Sequence, residues 1–233
     1  MYLAETPDKQ QYAVKIIPCR LENDRLDAEM EAHNLSRTNH RNVVKLYEYF
    51  LDNSNTEMVL VMECCDENTL RETIPNLSVP QRSQVLHELC EAVRYLHVEL
   101  GMVHRDIKPT NILMRDGNVK LCDFGRSMFL KPGEKITGAV GATYYMPPEM
   151  ANLEEYGFSV DIWNLGIVML EVCLGRITCR NSIAFIDNAF PDNYLNEVSD
   201  INIRQFLAGM IRRKPAERLG IEEVCELVAK LCI

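Results

Sequence analysis

Several features that decide the class of many proteins are missing from this 233-residue sequence. It has no apolar run long enough to cross a bilayer, since the longest apolar region, 160–174, is interrupted by Asp161, Asn164 and Glu171. The first ten residues, MYLAETPDKQ, contain neither the basic segment nor the apolar segment of a secretory signal. We therefore expect a soluble globular protein that does not enter a membrane and works in the cytoplasm.

Ordered cysteine motifs are also missing. The nine cysteines are scattered at uneven spacing without a CxxC pair or a Cys/His cluster, and an odd number argues against a disulfide framework. The neighbours Cys64 and Cys65 have no second ligand pair nearby, so we interpret them as packing residues rather than metal ligands. We expect most of the cysteines to be reduced residues of the core.

Positive charge is in deficit. Lysine and arginine number 25 against 34 aspartates and glutamates, which gives a formal net charge of −9. Binding to a phosphate backbone requires a basic face, so nucleic acid is an improbable partner on this composition, whereas a metal–nucleotide complex remains compatible with it. An apolar share of 47% is enough for a core, and the length suits one large domain or two small lobes.

The most informative stretch is 103–111, VHRDIKPTN, which is followed by Asp123-Phe124-Gly125. Phosphoryl transfer needs a carboxylate that accepts a hydroxyl proton, a cation beside the moving phosphate, and oxygen ligands for Mg²⁺. Asp106, Lys108, Asn111 and Asp123 are groups of these types. At these residues the sequence resembles the eukaryotic protein kinases, whose catalytic-loop and DFG signatures are both unbroken here.

The resemblance assigns roles to these four residues. Asp106 is expected to orient the substrate hydroxyl and accept its proton, and Lys108 to neutralise the moving phosphoryl group. Asn111 and Asp123 are expected to hold Mg²⁺. His104 is expected to pack rather than to act as a general base.

Two strands at 2–4 and 12–17 read as a hairpin, and the second contains Ala13-Val14-Lys15-Ile16, which is similar to the VAIK pattern of the kinases. The resemblance makes Lys15 the residue that holds the α- and β-phosphates. A polar helix is predicted over 21–36, with a thin apolar stripe through Leu26, Met30 and Leu35. In the kinases a similar His-Pro-Asn segment follows this helix, and by that resemblance the register relative to His40 makes Glu31, rather than Glu29, the partner of Lys15.

Two further strands, 43–51 and 58–63, complete a small antiparallel sheet. The resemblance makes Met62 the gatekeeper and 63–66 the hinge, with backbone groups of residues 63–65 facing adenine. It also assigns four residues to the walls of the nucleotide site, namely Ala13, Glu63, Cys65 and Leu113.

The second half of the sequence predicts helices. Ser78 and Gln81 form a capping box before an amphipathic helix that runs to Leu96, and 160–174 reads as a buried helix. Asp161 in that helix must find polar partners, and the resemblance supplies backbone amides of the catalytic loop. It also pairs Glu149 with Arg218. A last helix is predicted over 221–231.

The predicted fold is therefore α+β: a bilobal, protein-kinase-like fold with a small antiparallel sheet plus one helix in the N-lobe and a mainly helical C-lobe. The expected boundaries are 1–62 for the N-lobe, 63–66 for the hinge and 67–233 for the C-lobe. The Gly-rich loop that covers the phosphates is missing before residue 1. We expect an N-terminally truncated sequence to be the cause, with a natural loopless kinase as the alternative.

The resemblance implies a protein serine/threonine kinase that uses ATP and Mg²⁺ and acts on a protein substrate with a Ser or Thr acceptor. Asp-Ile-Lys-Pro-Thr-Asn is typical of the serine/threonine class, and YYMPPE with the 160–174 helix is most similar to the NIMA-related kinases. Ala142 replaces the threonine that normally contacts the catalytic aspartate. The alternative is therefore a pseudokinase scaffold or allosteric partner with weak or no phosphotransfer. A small-molecule kinase fits poorly, and the oligomeric state stays open.

Overall fold

The N-terminal part of the chain forms a four-stranded antiparallel sheet with one helix against it. The computed structural model describes residues 1–65, 68–141, 144–178 and 192–230. The strands are β1 (Tyr2–Glu5), β2 (Gln11–Pro18), β3 (Leu46–Leu51) and β4 (Glu57–Glu63), in the order β1-β2-β4-β3. In the β2–β4 register, Ala13 lies opposite Met62 and Lys15 opposite Leu60. These pairs place the first predicted nucleotide-site residues on the central strands of the sheet.

Helix α1 (Glu22–Ser36) exists as predicted, but the predicted apolar stripe is confirmed only at Leu35 and is wrong at Leu26 and Met30. Leu26 and Met30 are 53% and 40% exposed, and Leu35 shares the buried face with Ala28 and Ala32. These three residues follow i, i+4, i+7 spacing and therefore lie on one side of the helix. The small alanine side chains allow the helix backbone to approach the sheet closely, which turns the larger Leu26 and Met30 towards solvent.

The strand predicted over 43–51 begins three residues later, at Leu46. Val43 forms an isolated parallel bridge with Leu121, and the amide of Val44 donates to the carbonyl of Leu121 at 2.9 Å. Both valines are buried. The amide of Val44 is therefore satisfied by the backbone of Leu121 rather than by the four-stranded sheet, and this contact ties the two parts of the fold together.

The rest of the described chain is mainly helical, with two short hairpin-like ladders. The helices are α2 (Leu70–Thr73), α3 (Val79–Arg94), α4 (Pro148–Ala151), α5 (Ser159–Leu174), α6 (Asp192–Leu195), α7 (Ile201–Met210) and α8 (Ile221–Val228). The ladders pair β5 (Met102–Val103) with β8 (Met128–Phe129) and β6 (Ile112–Arg115) with β7 (Asn118–Leu121). Short 3₁₀ turns cover Ile74–Asn76, Pro109–Asn111 and Pro215–Glu217. The α+β class is confirmed.

Helix α3 begins at the predicted capping box, where the amide and hydroxyl of Ser78 both donate to Gln81 Oε1, at 2.9 and 2.7 Å. After Arg94 the helix widens into a π-helical segment, Tyr95–Leu100, and it ends at Gly101 in the left-handed conformation. Helix α5 is buried along almost its whole length, which explains why apolar residues occupy most of its faces, although Asp161, Asn164 and Glu171 are buried with them. No helix in the described ranges is long and apolar enough to cross a membrane.

Candidate active site

A cavity of about 780 Å³ lies beside β2 and β4 on one side and β6 on the other. Its walls include all eight residues that sequence analysis assigned to nucleotide or metal: Lys15, Glu31, Ala13, Glu63, Cys65, Leu113, Asn111 and Asp123. Sequence analysis missed Val44 and Cys122, which also line it. Each directly follows one residue of the parallel bridge between Val43 and Leu121, and no local motif marks them. An apolar cleft with charged groups at one end suits a nucleotide.

The charged end of the cavity is built by β2, α1 and Asp123, the second residue after the β6–β7 hairpin. Lys15 Nζ lies 2.5 Å from Glu31 Oε1 and 3.9 Å from Asp123 Oδ1. Burial raises the pKa of Glu31, and the positive charge of Lys15 offsets only part of this effect. The ammonium group therefore lies between two carboxylates at the end of the cleft, where it can also meet a phosphate.

The catalytic-loop residues converge on Asp106. Lys108 Nζ lies 2.7 Å from Asp106 Oδ2. Pro109 opens the 3₁₀ turn that brings Asn111 back to the loop, and Asn111 Nδ2 donates to both the carbonyl oxygen and Oδ2 of Asp106, each at 3.0 Å. Because the amide nitrogen of Asn111 is used in this way, its Oδ1 is the atom that can serve a metal ion.

A carboxylate from α5 holds the loop from behind. Asp161 accepts hydrogen bonds from the amide of His104 at 2.7 Å and from the amide of Arg105 at 2.8 Å, and His97 Nε2 lies 2.9 Å from it. Burial alone raises the pKa of Asp161, but these hydrogen bonds outweigh burial and the pKa is lowered. Arg105 has a φ of 67°, a conformation that non-glycine residues rarely adopt. The anchored amides stabilise that backbone immediately before Asp106.

Glu149 and Arg218 form a sealed pair away from the cavity. The guanidinium donates to both carboxylate oxygens, at 2.5 and 2.8 Å, and also to the carbonyl of Ser159 at 2.9 Å. It stacks over the Trp163 ring at 5.0 Å from the centroid. This bidentate pair fixes the start of α4 against the start of α5.

The side chain of Glu63 is engaged in a network that sequence analysis missed. Its carboxylate accepts from the amide of Lys45 at 2.8 Å and from Arg115 at 2.6 Å, and it lies 2.9 Å from Lys120 Nζ. The side chain of Glu63 is therefore not available to a ligand in the cleft, and its backbone amide donates to the carbonyl of Lys45 at 2.9 Å. The two cations come from β6 and β7, so the carboxylate joins the predicted hinge to that hairpin.

The segment before α4 passes very close to the catalytic loop. Gly141 has a φ of 89°, and a Cβ placed on it would lie 2.6 Å from the carbonyl oxygen of Arg105 and 3.1 Å from Asp106 Oδ1. Only glycine fits this approach. The predicted effect of Ala142 on substrate positioning concerns the next residue, which lies outside the described residues, as do Asp66 of the predicted hinge and Thr143.

The donor set fits a magnesium–nucleotide complex. Mg²⁺ is usually held by one or two carboxylate or amide oxygens together with phosphate oxygens and water, and Asn111 and Asp123 both reach the cavity. Within the described ranges, no three or more His, Cys, Asp or Glu side chains form a group that could hold a metal ion.

The sequence matches the model of the protein kinase domain family over residues 2–228, and the chain belongs to that family. It is 30% identical to Aurora kinase C of Mus musculus, over 86% of this chain and 72% of that protein. It is 29% identical to the probable serine/threonine-protein kinase mkcD of Dictyostelium discoideum, over 97% of this chain. It is 28% identical to the interferon-induced, double-stranded RNA-activated protein kinase of Mus musculus, over 96% of this chain. The chain spans 36% and 46% of the last two proteins.

Proposed function

We propose that this protein kinase domain transfers the γ-phosphoryl group of ATP to serine or threonine hydroxyls of proteins, with Mg²⁺ as its metal. The observation that carries the proposal is that Asp106, Lys108 and Asn111 are joined by hydrogen bonds of 2.7 to 3.0 Å, while Asn111 also lines the cavity that holds Lys15 and Asp123. A proton acceptor, a cation and metal ligands therefore meet at one end of a nucleotide-sized cleft.

Each residue has a distinct part in the proposed mechanism. Lys15, oriented by Glu31, binds the α- and β-phosphates, and the backbone of residues 63–65 binds adenine between Ala13 and Leu113. Mg²⁺, when bound through Asn111 and Asp123, neutralises the phosphate oxygens. Asp106 orients the acceptor hydroxyl and takes its proton, while Lys108 stabilises the charge of the moving phosphoryl group.

Finer assignments belong to the same proposal. Serine/threonine specificity is supported by the lysine two residues after Asp106 and by the similarity to the probable serine/threonine-protein kinase mkcD. The NIMA-related subfamily, the boundaries 1–62, 63–66 and 67–233, and a cytoplasmic location remain predictions. The location rests on the free thiols of the seven cysteines that the described ranges contain.

The test compares Asp106→Asn with the wild type and with Asp116→Asn, the same chemical change in the exposed turn between β6 and β7. We expect Mg·ATP to raise the Tm of all three proteins, because none of the changes removes a phosphate or adenine contact. Transfer of labelled phosphate to a basic protein should fall roughly a hundredfold or more in Asp106→Asn only.

Equal transfer by Asp106→Asn and the wild type would contradict the role of Asp106. A wild type that is stabilised by Mg·ATP but transfers no phosphate to any Ser/Thr protein would instead favour the pseudokinase scaffold.

A further inference from the structure

Helix α1 carries a buried amide that the proposed mechanism does not use. Asn34 is 3% exposed, and its Nδ2 donates to the carbonyl of Ser127 at 2.8 Å and to the carbonyl of Phe124 at 3.2 Å. A buried amide is costly unless it is hydrogen-bonded, and so are the two carbonyl groups that it satisfies. The contact therefore joins α1 to a specific piece of backbone far along the chain.

That piece of backbone directly follows Asp123. The amide of Ser127 donates to the carbonyl of Phe124 at 3.1 Å, so residues 124–127 form a turn, and Asn34 holds the carbonyl groups at both of its ends. Asp123 itself has a φ of 66°. A non-glycine residue keeps this conformation only where its surroundings fix it, and the turn held by Asn34 is the next element of the chain.

Asn34 and Glu31 are three residues apart, so they lie next to each other on one face of α1. Glu31 reaches Lys15 and Asn34 reaches the 124–127 turn. A rotation or outward shift of α1 would break both contacts together. The helix that orients the phosphate-binding lysine is thus linked by one amide to the backbone that orients the predicted metal ligand.

We propose that Asn34 is a positioning residue that couples the placement of Glu31 and Lys15 to that of Asp123. The coupling rests on the proposed function, since its purpose is to assemble the phosphate and metal end of the nucleotide site as one unit. Without the amide, the competent arrangement is a smaller fraction of the population, and the apparent affinity for a ligand that needs it falls by that fraction.

The test uses Asn34→Leu, which keeps the shape of the side chain but removes its donor. Asn42→Leu is the matched control, because Asn42 is equally buried and its Nδ2 donates to the carbonyl of Val119 at 3.1 Å, outside the turn after Asp123. Affinities are measured for two ligands. Adenosine contacts only the adenine pocket, whereas Mg·ATP also contacts Lys15 and Asp123.

Loss of the two hydrogen bonds should weaken Mg·ATP binding roughly tenfold in Asn34→Leu. Adenosine binding should stay within about twofold of the wild type, because the adenine walls are untouched. Asn42→Leu should lower the Tm and change neither affinity. Unchanged Mg·ATP affinity in a folded Asn34→Leu protein, an equal loss for both ligands, or the same split in Asn42→Leu would overturn the proposal.

If Asn34→Leu does not fold, hydrogen exchange of the wild type tests the coupling between α1 and the 124–127 turn. The amides of α1 near Glu31 and those of residues 124–127 should open with one shared free energy, and independent opening would refute the coupling. A wild type that binds Mg·ATP no better than adenosine would contradict the proposed function instead, and the exchange measurement without nucleotide would still test the coupling.

Discussion

Two ion pairs of similar length lie in very different surroundings. The Lys15 and Glu31 side chains are 29% and 10% exposed, whereas those of Arg218 and Glu149 are 0% and 1% exposed. The first pair has one contact of 2.5 Å and borders the cavity, and the second is bidentate and is covered by Trp163. The lysine beside the cavity retains access to water, while the arginine that holds α4 in place has none.

The difference in exposure gives the two ion pairs different expected roles. Charges in contact with water exchange partners at low cost, but a sealed charge that loses its partner keeps its full desolvation penalty. We therefore expect the open pair to govern ligand binding and the sealed pair to govern folding. Two predictions test this contrast and a third compares Glu31 with the buried carboxylate of Asp161, in order from the largest expected effect to the smallest.

Removing one member of the sealed pair should have the largest effect. Arg218→Ala leaves Glu149 buried without its guanidinium, and we expect the free energy of unfolding to fall by about 3–5 kcal/mol. Urea denaturation of the variant and the wild type measures this. The control is Lys214→Ala, which breaks a pair with side chains 79% and 53% exposed and should change stability by less than about 0.5 kcal/mol. Similar losses in the two variants would refute the contrast.

Removing one member of the open pair should affect the ligand more than the fold. In Lys15→Met we expect the stabilisation by Mg·ATP to be lost, while the stability of the free protein changes by only about 1 kcal/mol. Thermal denaturation with and without Mg·ATP measures both effects. Lys45→Met, in which the exposed lysine lies outside the cavity, should keep the full nucleotide shift. If Lys15→Met retained that shift, Lys15 would not be the phosphate ligand.

The smallest expected effect is a difference in the sign of the pH dependence. The pKa of Glu31 is raised above 4.5, so the folded state binds the extra proton, and the contribution of Glu31 to stability is lost as pH rises through that window. The pKa of Asp161 is lowered below 3.8, so its contribution is present above that value and is lost as pH falls through the folded pKa. Each slope is limited to about 1.4 kcal/mol per pH unit, because one proton is involved.

Urea denaturation of Glu31→Gln and Asp161→Asn across this acidic range measures the two contributions. Relative to the wild type, Glu31→Gln should gain stability as pH rises above 4.5. The penalty of Asp161→Asn should shrink as pH falls below 3.8. If the stability difference between variant and wild type changed with pH in the same direction for both variants, the assigned pKa shifts would be contradicted.

The sequence predicted those parts of the molecule that depend on contiguous motifs. Asp106, Lys108 and Asn111 lie within six positions, so a single short loop can bring them together, although Asp161 of α5 holds the start of that loop. The α+β class followed in the same way from local strand and helix patterns. By contrast, Leu26–Met30 and Ala28–Ala32 have the same helical spacing, and only packing against the sheet decides which pair is buried.

Long-range polar contacts could not be predicted from local patterns. Arg115 meets Glu63 across 52 positions of the chain, and Asn34 meets Ser127 across 93. A buried asparagine in a helix has no signature of its own, because its partners are backbone carbonyl groups that every residue possesses. Such contacts emerge only when the complete fold brings the elements together.

The π-helical segment Tyr95–Leu100 affects how the chain between α3 and the catalytic loop is oriented relative to Asp161. Its hydrogen bonds run from i to i+5, so it holds one residue more than an α-helix would over the same turn. One residue of an α-helix corresponds to a rotation of about 100°. The π-helical segment therefore changes the direction in which the side chains after α3 point, before the chain enters β5. His97 lies in this segment, and its Nε2 is 2.9 Å from Asp161, the carboxylate that also accepts from the amides of His104 and Arg105.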